Sequence, residues 1–327
     1  MCNIKGEYSI NEKKIIIPIL LVIVVIIGAF VYHNAKNKTP ANPNATNEIT
    51  DMAGRTVTVP EKIDSVYSTN PASAIYIYTL EPDKLLGWNY ELNDLEKSII
   101  LKKYHSLPNF GMGDVVNYEA VIEAKPTIAI NAGVINDATK SECDTLQEKL
   151  GIPVIAVDAD LSKVPDAYRF MGKVFHDEKK AEKLAKYAEL TLDDISEVKV
   201  NDKKKIKVYY GNEKDSLETA PKKSPHGKII ELANRINVAD LEFGNGGRVK
   251  ISAEQLLAWD PDVIILNGEP KANMSGYSAA DALKKNPVFA NLKVVKNDRV
   301  YGTPNAPFSW LDRPNASNRI VGLRWLN

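Results

Sequence analysis

Short apolar runs alternate with longer stretches of helical spacing along most of this 327-residue chain. The runs lie at residues 65–68, 85–88, 127–131, 154–157, 206–210, 263–266, 293–295 and 299–302. Runs of this length between helices are typical of buried strands in parallel sheets with right-handed crossovers. The pattern predicts an α/β protein with two lobes, each built on a central, mainly parallel sheet flanked by helices.

A long helix is predicted between the two series of strands. Asp177 is a suitable N-cap, and good helix formers continue from Glu178 to about Val198. At 1.5 Å per residue such a helix is about 30 Å long, so we expect it to join the lobes and limit their movement. The predicted boundaries are 49–176 for the N-terminal lobe, 177–199 for the connecting helix and 200–327 for the C-terminal lobe. The last residues have the pattern of an amphipathic helix, so an incomplete C-terminal lobe is an open alternative.

The most apolar stretch precedes the globular body. Residues 15–32 contain no Asp, Glu, Lys or Arg and are long enough to cross a bilayer as a helix. A cleaved signal peptide is the alternative, although no small-x-small cleavage site follows Ala29. The sequence therefore predicts a cytoplasmic segment at 1–14, a single-pass membrane anchor at 15–32 and a flexible Asn/Pro/Thr-rich linker at 33–48. The body would then lie outside the cytoplasm.

Charge and motifs exclude several classes of function. Lys plus Arg and Asp plus Glu both total 42, so there is no basic excess for binding nucleic acid. The cysteines, Cys2 and Cys143, flank the apolar stretch and cannot form a disulfide framework or a cysteine metal cluster. HExxH, GxSxG and GxxxxGK[ST] are absent, and the four histidines are scattered. We predict a protein that is not an enzyme and carries no cofactor or resident metal.

Candidate ligand-binding residues follow the predicted strands. In open α/β sheets ligands bind beyond the carboxyl ends of the strands. Those positions carry Asn70, Trp88, Tyr90, Asn131, Tyr210, Asn212 and Asn267. Flat aromatic rings and amides suit a bulky ligand that is partly polar and partly apolar. The glycine-rich run FGNGGR offers backbone donors to an anion beside Arg248.

Two distant stretches share one pattern, YEAVIEAKPTIAI and AEQLLAWDPDVIIL. Each begins a short helix with a glutamate, Glu119 or Glu254, and a proline follows seven residues later. A glutamate in the first turn is favoured by the helix dipole, which accounts for each residue separately.

Taken in order, these features resemble the iron-siderophore, haem and vitamin B12 substrate-binding proteins of ABC importers, the class with a single rigid interlobe helix. The resemblance covers residues 49–327. It rests on DMAGRTVTVPEKIDSV, the two glutamate stretches, NPVFANLKVVKNDRVYGTP and PFSWLDRPNASNRIVGLRWL. It implies a monomer that traps a ligand between two lobes and docks on a membrane permease whose ATPase subunits drive import.

The resemblance also assigns roles to residues. It implies that Glu119 and Glu254 face the permease. It implies that WLDR, which contains Trp310 and Arg313, borders the ligand. Further cleft positions correspond to Pro71, Tyr90, Asn131 and Tyr210.

The expected ligand is a siderophore-like ferric chelate, because its negative charge suits the guanidinium groups of Arg313 and Arg248. Cobalamin, haem and molybdate or tungstate are alternative ligands, although the family positions for a haem ligand are not filled. A chelatase-like metal enzyme and a membrane-tethered sensor are the alternatives of another class.

Overall fold

A computed structural model describes residues 45–198, 200–201, 204–244, 246–268 and 275–327. The predicted anchor at 15–32 and most of the predicted linker lie outside these residues. None of the helices within the described ranges is both long and apolar enough to cross a bilayer.

The strands are β1 Thr46–Thr50, β2 Thr56–Pro60, β3 Val66–Ser68, β4 Ile128–Gly133, β5 Val154–Asp158, β6 Lys207–Asn212, β7 Glu218–Thr219, β8 Ile236–Asn237, β9 Val249–Lys250, β10 Val263–Leu266 and β11 Val300–Gly302. The α-helices are α1 Pro71–Leu80, α2 Asp94–Ile99, α3 Tyr118–Glu123, α4 Asp137–Leu150, α5 Val164–Phe175, α6 Glu178–Glu197, α7 Lys228–Leu232, α8 Ala253–Trp259, α9 Gly276–Lys285, α10 Lys293–Lys296 and α11 Asn318–Leu326.

Strands β1 and β2 form the hairpin that opens the folded body, and a buried ion pair attaches it to β5. Asp51 Oδ1 accepts hydrogen bonds from the backbone N–H groups of Ala53 and Arg55 across the turn. The Arg55 guanidinium donates to Asp51 Oδ2 at 2.9 Å and to the Val154 carbonyl at 2.8 Å. The hairpin starts at Thr46, so the folded body includes residues 46–48, which the sequence had placed in the linker.

The first parallel sheet has the strand order β3-β4-β5. Its strands are almost entirely buried, because helix α1 packs on β3 and β4 while α4 and α5 pack on β5. Cys143 is a fully buried residue of α4. The predicted strands at 65–68, 127–131 and 154–157 are confirmed.

The second sheet is mixed. Strands β11, β10 and β6 run parallel in that order, and β8 pairs in parallel with β6. On the edge of β6 opposite β10, the short strand β7 pairs antiparallel with β6, and β9 in turn pairs antiparallel with β7. The predicted strands at 206–210, 263–266 and 299–302 are confirmed, and the parallel part of the sheet carries the carboxyl ends that matter for binding.

Helix α6 lies in sequence between the two sheets and has 20 residues. Asp177 caps it by accepting a hydrogen bond from the Lys180 N–H at 3.1 Å, which confirms the predicted helix. Helix α6 packs closely on α5 because Gly172 has no side chain. A Cβ there would lie 2.4 Å from the Cβ of Ala181. The role of α6 as the connection that limits lobe movement stays a prediction.

Two predicted strands are wrong. Residues 85–88 form only isolated bridges, from Leu85 to Val66 and from Trp88 to Asn109, because the chain leaves the sheet edge at once. Residues 293–295 lie in the single-turn helix α10. There the apolar pair Val294 and Val295 packs beneath β10 and β11 from a helix instead of extending the sheet.

Candidate functional site

A cavity of about 1220 Å³ lies at the carboxyl ends of both sheets. The first sheet contributes Asn70 after β3, Gly133 at the end of β4 and Asp160 after β5. The second sheet contributes Asn267 after β10 and Asn305 after β11. The position is the one where ligands bind in open α/β sheets, and the volume exceeds that of most small-molecule pockets.

Asn70 and Pro71 line the cavity at the start of α1. Asn70 Oδ1 accepts a hydrogen bond from the Ser73 N–H at 3.0 Å and so caps the helix. Its Nδ2 donates to Asn131 Oδ1 at 2.9 Å and to the Ala132 carbonyl at 3.1 Å. Asn131 is 2% exposed and does not line the cavity. Asn131 therefore holds Asn70 in place and does not form part of the cavity wall.

Tyr90 lines the cavity next to the buried carboxylate of Glu96. The Tyr90 hydroxyl donates to Glu96 Oε1 at 2.9 Å, and Glu96 Oε2 accepts from the Asn93 N–H at 2.8 Å. Burial raises the pKa of both Tyr90 and Glu96. These hydrogen bonds hold the tyrosine ring in place and give its hydroxyl a partner within the protein.

Asp312 lies behind the opposite wall of the cavity and is fully buried. Its carboxylate accepts hydrogen bonds from His226 Nδ1 and the Arg248 guanidinium, and from the Tyr210 hydroxyl at 3.3 Å. Burial opposes the charge of Asp312. His226 and Arg248 outweigh that effect and hold the pKa of this carboxyl well below its usual range. Asp312 is therefore a charged anchor for three side chains from different parts of the sequence.

Arg313 and Arg319 line the cavity beside Asp312. Arg319 is 3% exposed, and its Nε donates to the Leu311 carbonyl at 3.0 Å. One terminal nitrogen of each guanidinium, and Nε of Arg313, have no hydrogen-bond partner among the described residues. Burial lowers the pKa of Arg319, since a cation without enough partners is costly in the interior. These groups can donate to an anionic ligand.

Helix α11 carries Arg319 and packs against the segment that precedes it. A Cβ at Gly322 would lie 1.9 Å from the Trp310 carbonyl oxygen. Only glycine allows this approach, which brings Asp312 and Arg313 beside Arg319.

Charges on the cavity wall are segregated by position in the chain. Among the described lining residues, the acidic ones come only from the N-terminal half, and the basic ones and the histidine come only from the C-terminal half. The acidic residues are Glu91, Asp94, Glu96 and Asp160, and the others are His226, Lys228, Arg313 and Arg319. An anionic group of a ligand is therefore directed to the C-terminal wall.

One ion pair joins the two walls. Lys228 Nζ lies 2.7 Å from Asp160 Oδ2, while Asp160 Oδ1 accepts from the Ser162 N–H and hydroxyl. Burial opposes the charge of Asp160, but Lys228 and Ser162 outweigh it and lower the pKa of this carboxyl.

Six of the predicted ligand-binding residues lie away from the cavity surface, and two of them, Asn131 and Asn212, are buried amides. Trp88 is 2% exposed, and its Nε1 donates to the Tyr104 carbonyl at 2.8 Å, so it belongs to the core. Trp310 lines a separate apolar cavity of about 260 Å³. Tyr210 and Arg248 lie behind the wall, bonded to Asp312. The lining residues that the sequence singled out are Asn70, Pro71, Tyr90, Asn267 and Arg313, together with Phe243, Gly244 and Gly247 of the run FGNGGR.

Sequence reasoning missed His226, Arg319 and Phe308 as lining residues. Asp312 lies within WLDR, so its position beside Arg313 was a usable signal. His226 and Arg319 belong to different elements, and only the fold brings them together. No group of three or more possible metal ligands occurs in the part of the chain that the structure describes.

Glu119 and Glu254 occupy equivalent positions in helices α3 and α8. Each is the second residue of its helix and is exposed to solvent. Asn117 caps the first helix through the Ala120 N–H, and Ser252 caps the second through the Gln255 N–H. Hydrogen bonds from its own backbone and from Ser252 lower the pKa of Glu254. Contact with a permease stays a prediction.

Comparison with known proteins identifies relatives over most of the chain. The profile of the family described as periplasmic binding protein matches residues 84–307. The high-affinity heme uptake system protein IsdE of Staphylococcus aureus is 26% identical over 229 residues, which cover 68% of this chain and 74% of IsdE.

Solved structures share the fold. An ABC transporter solute binding protein from Sulfurospirillum deleyianum aligns with a TM-score of 0.77 and 26% identity, over 85% of this chain and 87% of that one. The triscatecholate siderophore binding protein FeuA from Bacillus subtilis aligns with a TM-score of 0.61 and 20% identity, over 86% of this chain and 95% of FeuA. The second likeness concerns the fold alone.

Proposed function

This chain belongs to the periplasmic binding protein family, and we propose that it captures an anionic ferric chelate in its cavity and delivers it to the permease of an ABC importer. The basic C-terminal wall is the observation that carries the proposal. Arg313 and Arg319 keep donors there that have no partner among the described residues, and the neighbouring acidic group, Asp312, is already hydrogen-bonded to His226 and Arg248. A negatively charged ligand supplies the missing acceptors.

Apolar side chains support a ligand with an organic periphery. Leu95, Met112 and Val134 line the cavity and are between 40% and 47% exposed. Phe243 and Phe308 lie on the opposite wall. Covering this apolar surface favours binding of a chelate whose organic framework fills the space between the walls. Molybdate or tungstate alone would leave most of the 1220 Å³ and these side chains in water.

Haem remains a second candidate ligand, because IsdE, a relative at 26% identity, is named as part of a heme uptake system. A flat macrocycle with anionic substituents also fits a cavity with apolar rims and a basic wall. The profile match is to a family of binding proteins, which favours binding without chemical conversion over the chelatase-like alternative.

Purification and mutation test the function. Native mass spectrometry of protein from its own organism, with metal analysis, is expected to show a bound iron complex.

Arg313→Gln is expected to weaken binding of an anionic iron(III) catecholate complex roughly tenfold to a hundredfold, because a charge-assisted hydrogen bond is lost. Arg299→Gln, which changes an arginine away from the cavity wall, is the matched control. Equal affinity for both variants contradicts the anionic-ligand proposal, and turnover of the ligand contradicts a pure binding role.

We place the folded body outside the cytoplasm, held by residues 15–32 as a single-pass anchor and by the linker that follows. The support is the uncharged length of that stretch. Full-length protein is expected in the membrane fraction after alkaline washing, whereas a chain starting at Thr46 is expected in the soluble fraction. A full-length chain released by the wash contradicts the anchor.

Docking is proposed through Glu119 and Glu254, each meeting a basic group on the permease, while cytoplasmic ATPase subunits drive import. The support is their equivalent, exposed positions at the starts of α3 and α8. Helix α6 is proposed as the stiff link between the lobes, which favours a modest closure around the ligand.

A further inference from the structure

We propose that helices α3 and α8 each contact the permease through two side chains, a glutamate and an exposed apolar residue one turn later. The apolar residues are Ile122 in α3 and Leu257 in α8, three positions after Glu119 and Glu254. The complementary site on the permease then combines a basic group with an apolar recess and occurs twice. This inference rests on the proposed docking and adds an apolar contact to the charged one.

The two helices belong to one structural unit that occurs twice in the chain. Residues 117–130 align with 252–265 without a gap, and each helix leads into a strand with parallel neighbours on both sides, β4 or β10. The residue before the proline has a positive φ in both units, 52° at Lys125 and 40° at Asp260. Both N-cap side chains accept from the N–H three residues later. The backbones of the two units therefore follow the same course.

Burial along the two helices follows the same order as well. Val121 and Leu256 are fully buried, so they fix which side of each helix faces its own lobe. At the next position, Ile122 is 52% exposed and Leu257 is 37% exposed. A single exposed apolar residue is ordinary on a protein surface. Two of them at equivalent positions of a repeated unit indicate a shared role.

Each apolar residue lies beside the glutamate of its helix. Residues three apart in an α-helix are neighbours on its surface, with about 5–6 Å between their Cβ atoms. An exposed ion pair alone contributes little to binding, because water and salt screen it. An apolar contact next to the pair adds affinity of its own and excludes water from the charges. The glutamate then orients the partner, and the apolar residue strengthens the contact.

Charge identifies the occupant as a partner with basic groups. Ile122 lies between the exposed carboxylates of Glu119 and Glu123 on α3. A second copy of this chain fits poorly here, because either helix would meet a helix that carries the same glutamate and the carboxylates would repel each other. A permease that presents a basic residue beside each apolar recess satisfies both parts of the surface.

Cross-linking in cells tests the contact without knowledge of the ligand. Photoreactive benzoylphenylalanine replaces Ile122 or Leu257 in the full-length chain, expressed in its own organism. On irradiation both positions are expected to link to the permease of one ABC importer, identified by mass spectrometry. The control positions are Leu101 and Leu190, which are 59% and 51% exposed but lie outside α3 and α8. They are expected to give no link to that permease.

Affinity for the same permease, held with its ATPase subunits in lipid nanodiscs, measures the apolar contribution. Ile122→Gln with Leu257→Gln is expected to weaken docking about tenfold to a hundredfold, because each change sets a polar amide against an apolar recess. Glutamine is a good helix former, so the melting temperature is expected to stay unchanged. Leu101→Gln with Leu190→Gln is the matched control and is expected to dock like the wild type.

Ionic strength separates the apolar part of the contact from the charged part. At about 1 M salt the screening length falls to about 3 Å. The docking that remains in Glu119→Ala with Glu254→Ala is expected to change little between low and high salt, because the apolar residues carry it. Docking by Ile122→Gln with Leu257→Gln is expected to be lost at high salt, because the glutamates carry it.

The outcomes distinguish this inference from the docking proposal beneath it. The apolar contact is wrong if the glutamine pair on α3 and α8 docks like the wild type. It is also wrong if benzoylphenylalanine at Ile122 and Leu257 links to a second copy of this chain or to no permease. Docking through the glutamates stands in these cases if Glu119→Ala with Glu254→Ala still reduces uptake. If neither double variant differs from the wild type, both proposals are wrong.

Discussion

Replacing Asp312 with asparagine is expected to lower the free energy of unfolding by about 3–5 kcal/mol, the usual cost of removing one partner of a buried ion pair. Asp312 is fully buried, and its carboxylate accepts hydrogen bonds from His226, Arg248 and Tyr210. Without the negative charge, the largely buried Arg248 cation keeps, among the described acidic residues, the 3.3 Å contact with Glu218. Urea unfolding at neutral pH measures the difference.

The same carboxylate makes stability depend on pH in a defined direction. The folded-state pKa of Asp312 is lowered, so its contribution is present above the ordinary carboxyl pKa of about 4. That contribution is lost as the pH falls from there toward the lowered folded-state value. The stability difference between the wild type and Asp312→Asn is therefore expected to shrink progressively below about pH 4.

A surface aspartate supplies the control. Asp240 pairs with Lys222, but its side chain is 65% exposed. Asp240→Asn is expected to leave the unfolding curve nearly unchanged, because water replaces a partner at the surface. If Asp312→Asn unfolds like Asp240→Asn, then Asp312 is not the anchor of the basic wall.

The buried strands were predictable because their signal is local. Residues 154–157 and 263–266 are continuous apolar runs next to turn residues. Strand β10 lies between two parallel neighbours, and β5, although it is at the edge of its sheet, is covered by helices α4 and α5. A strand that is buried on both faces needs apolar side chains at every position, so burial itself produces the continuous apolar run in the sequence. The strand prediction for residues 293–295 was wrong because three residues are too few to distinguish a strand from one turn of helix.

The cavity wall was only partly predictable, because its key contacts join residues far apart in sequence. His226 meets Asp312 across 86 positions, and Arg248 meets it across 64. Strand-end reasoning found Asn70 and Asn267, since each lies within two residues of the end of a strand. It placed Trp88 and Tyr210 at the surface because a sequence shows that an aromatic follows or ends a strand, but not which way the ring points. In the fold both rings are 2% exposed or less.

The recurrence of a glutamate in two halves of the chain has a local explanation and a transport explanation. Locally, each glutamate stabilises the first turn of a helix that already has an N-cap, Asn117 or Ser252. Under that explanation each glutamate acts on its own helix, and the two side chains need not both be exposed. Transport requires both to be exposed and available to one partner, and mutation of the pair separates the two explanations.

Alanine at both Glu119 and Glu254 is expected to reduce ligand uptake by cells at least about tenfold, while ligand affinity and melting temperature stay nearly unchanged. Each substitution removes a charge that complements a basic group on the permease, and loss of such contacts weakens docking more than folding. The matched control is Glu123→Ala with Asp281→Ala, which removes two exposed carboxylates from α3 and α9 without touching the first turns.

Uptake is measured with the iron complex identified by native mass spectrometry, and affinity with the purified protein. Equal uptake by the two double variants contradicts docking through these glutamates, because loss of exposed charge would then have the same effect wherever it occurs. Reduced affinity in the purified protein contradicts it for a different reason, since the glutamates would then act on the cavity itself.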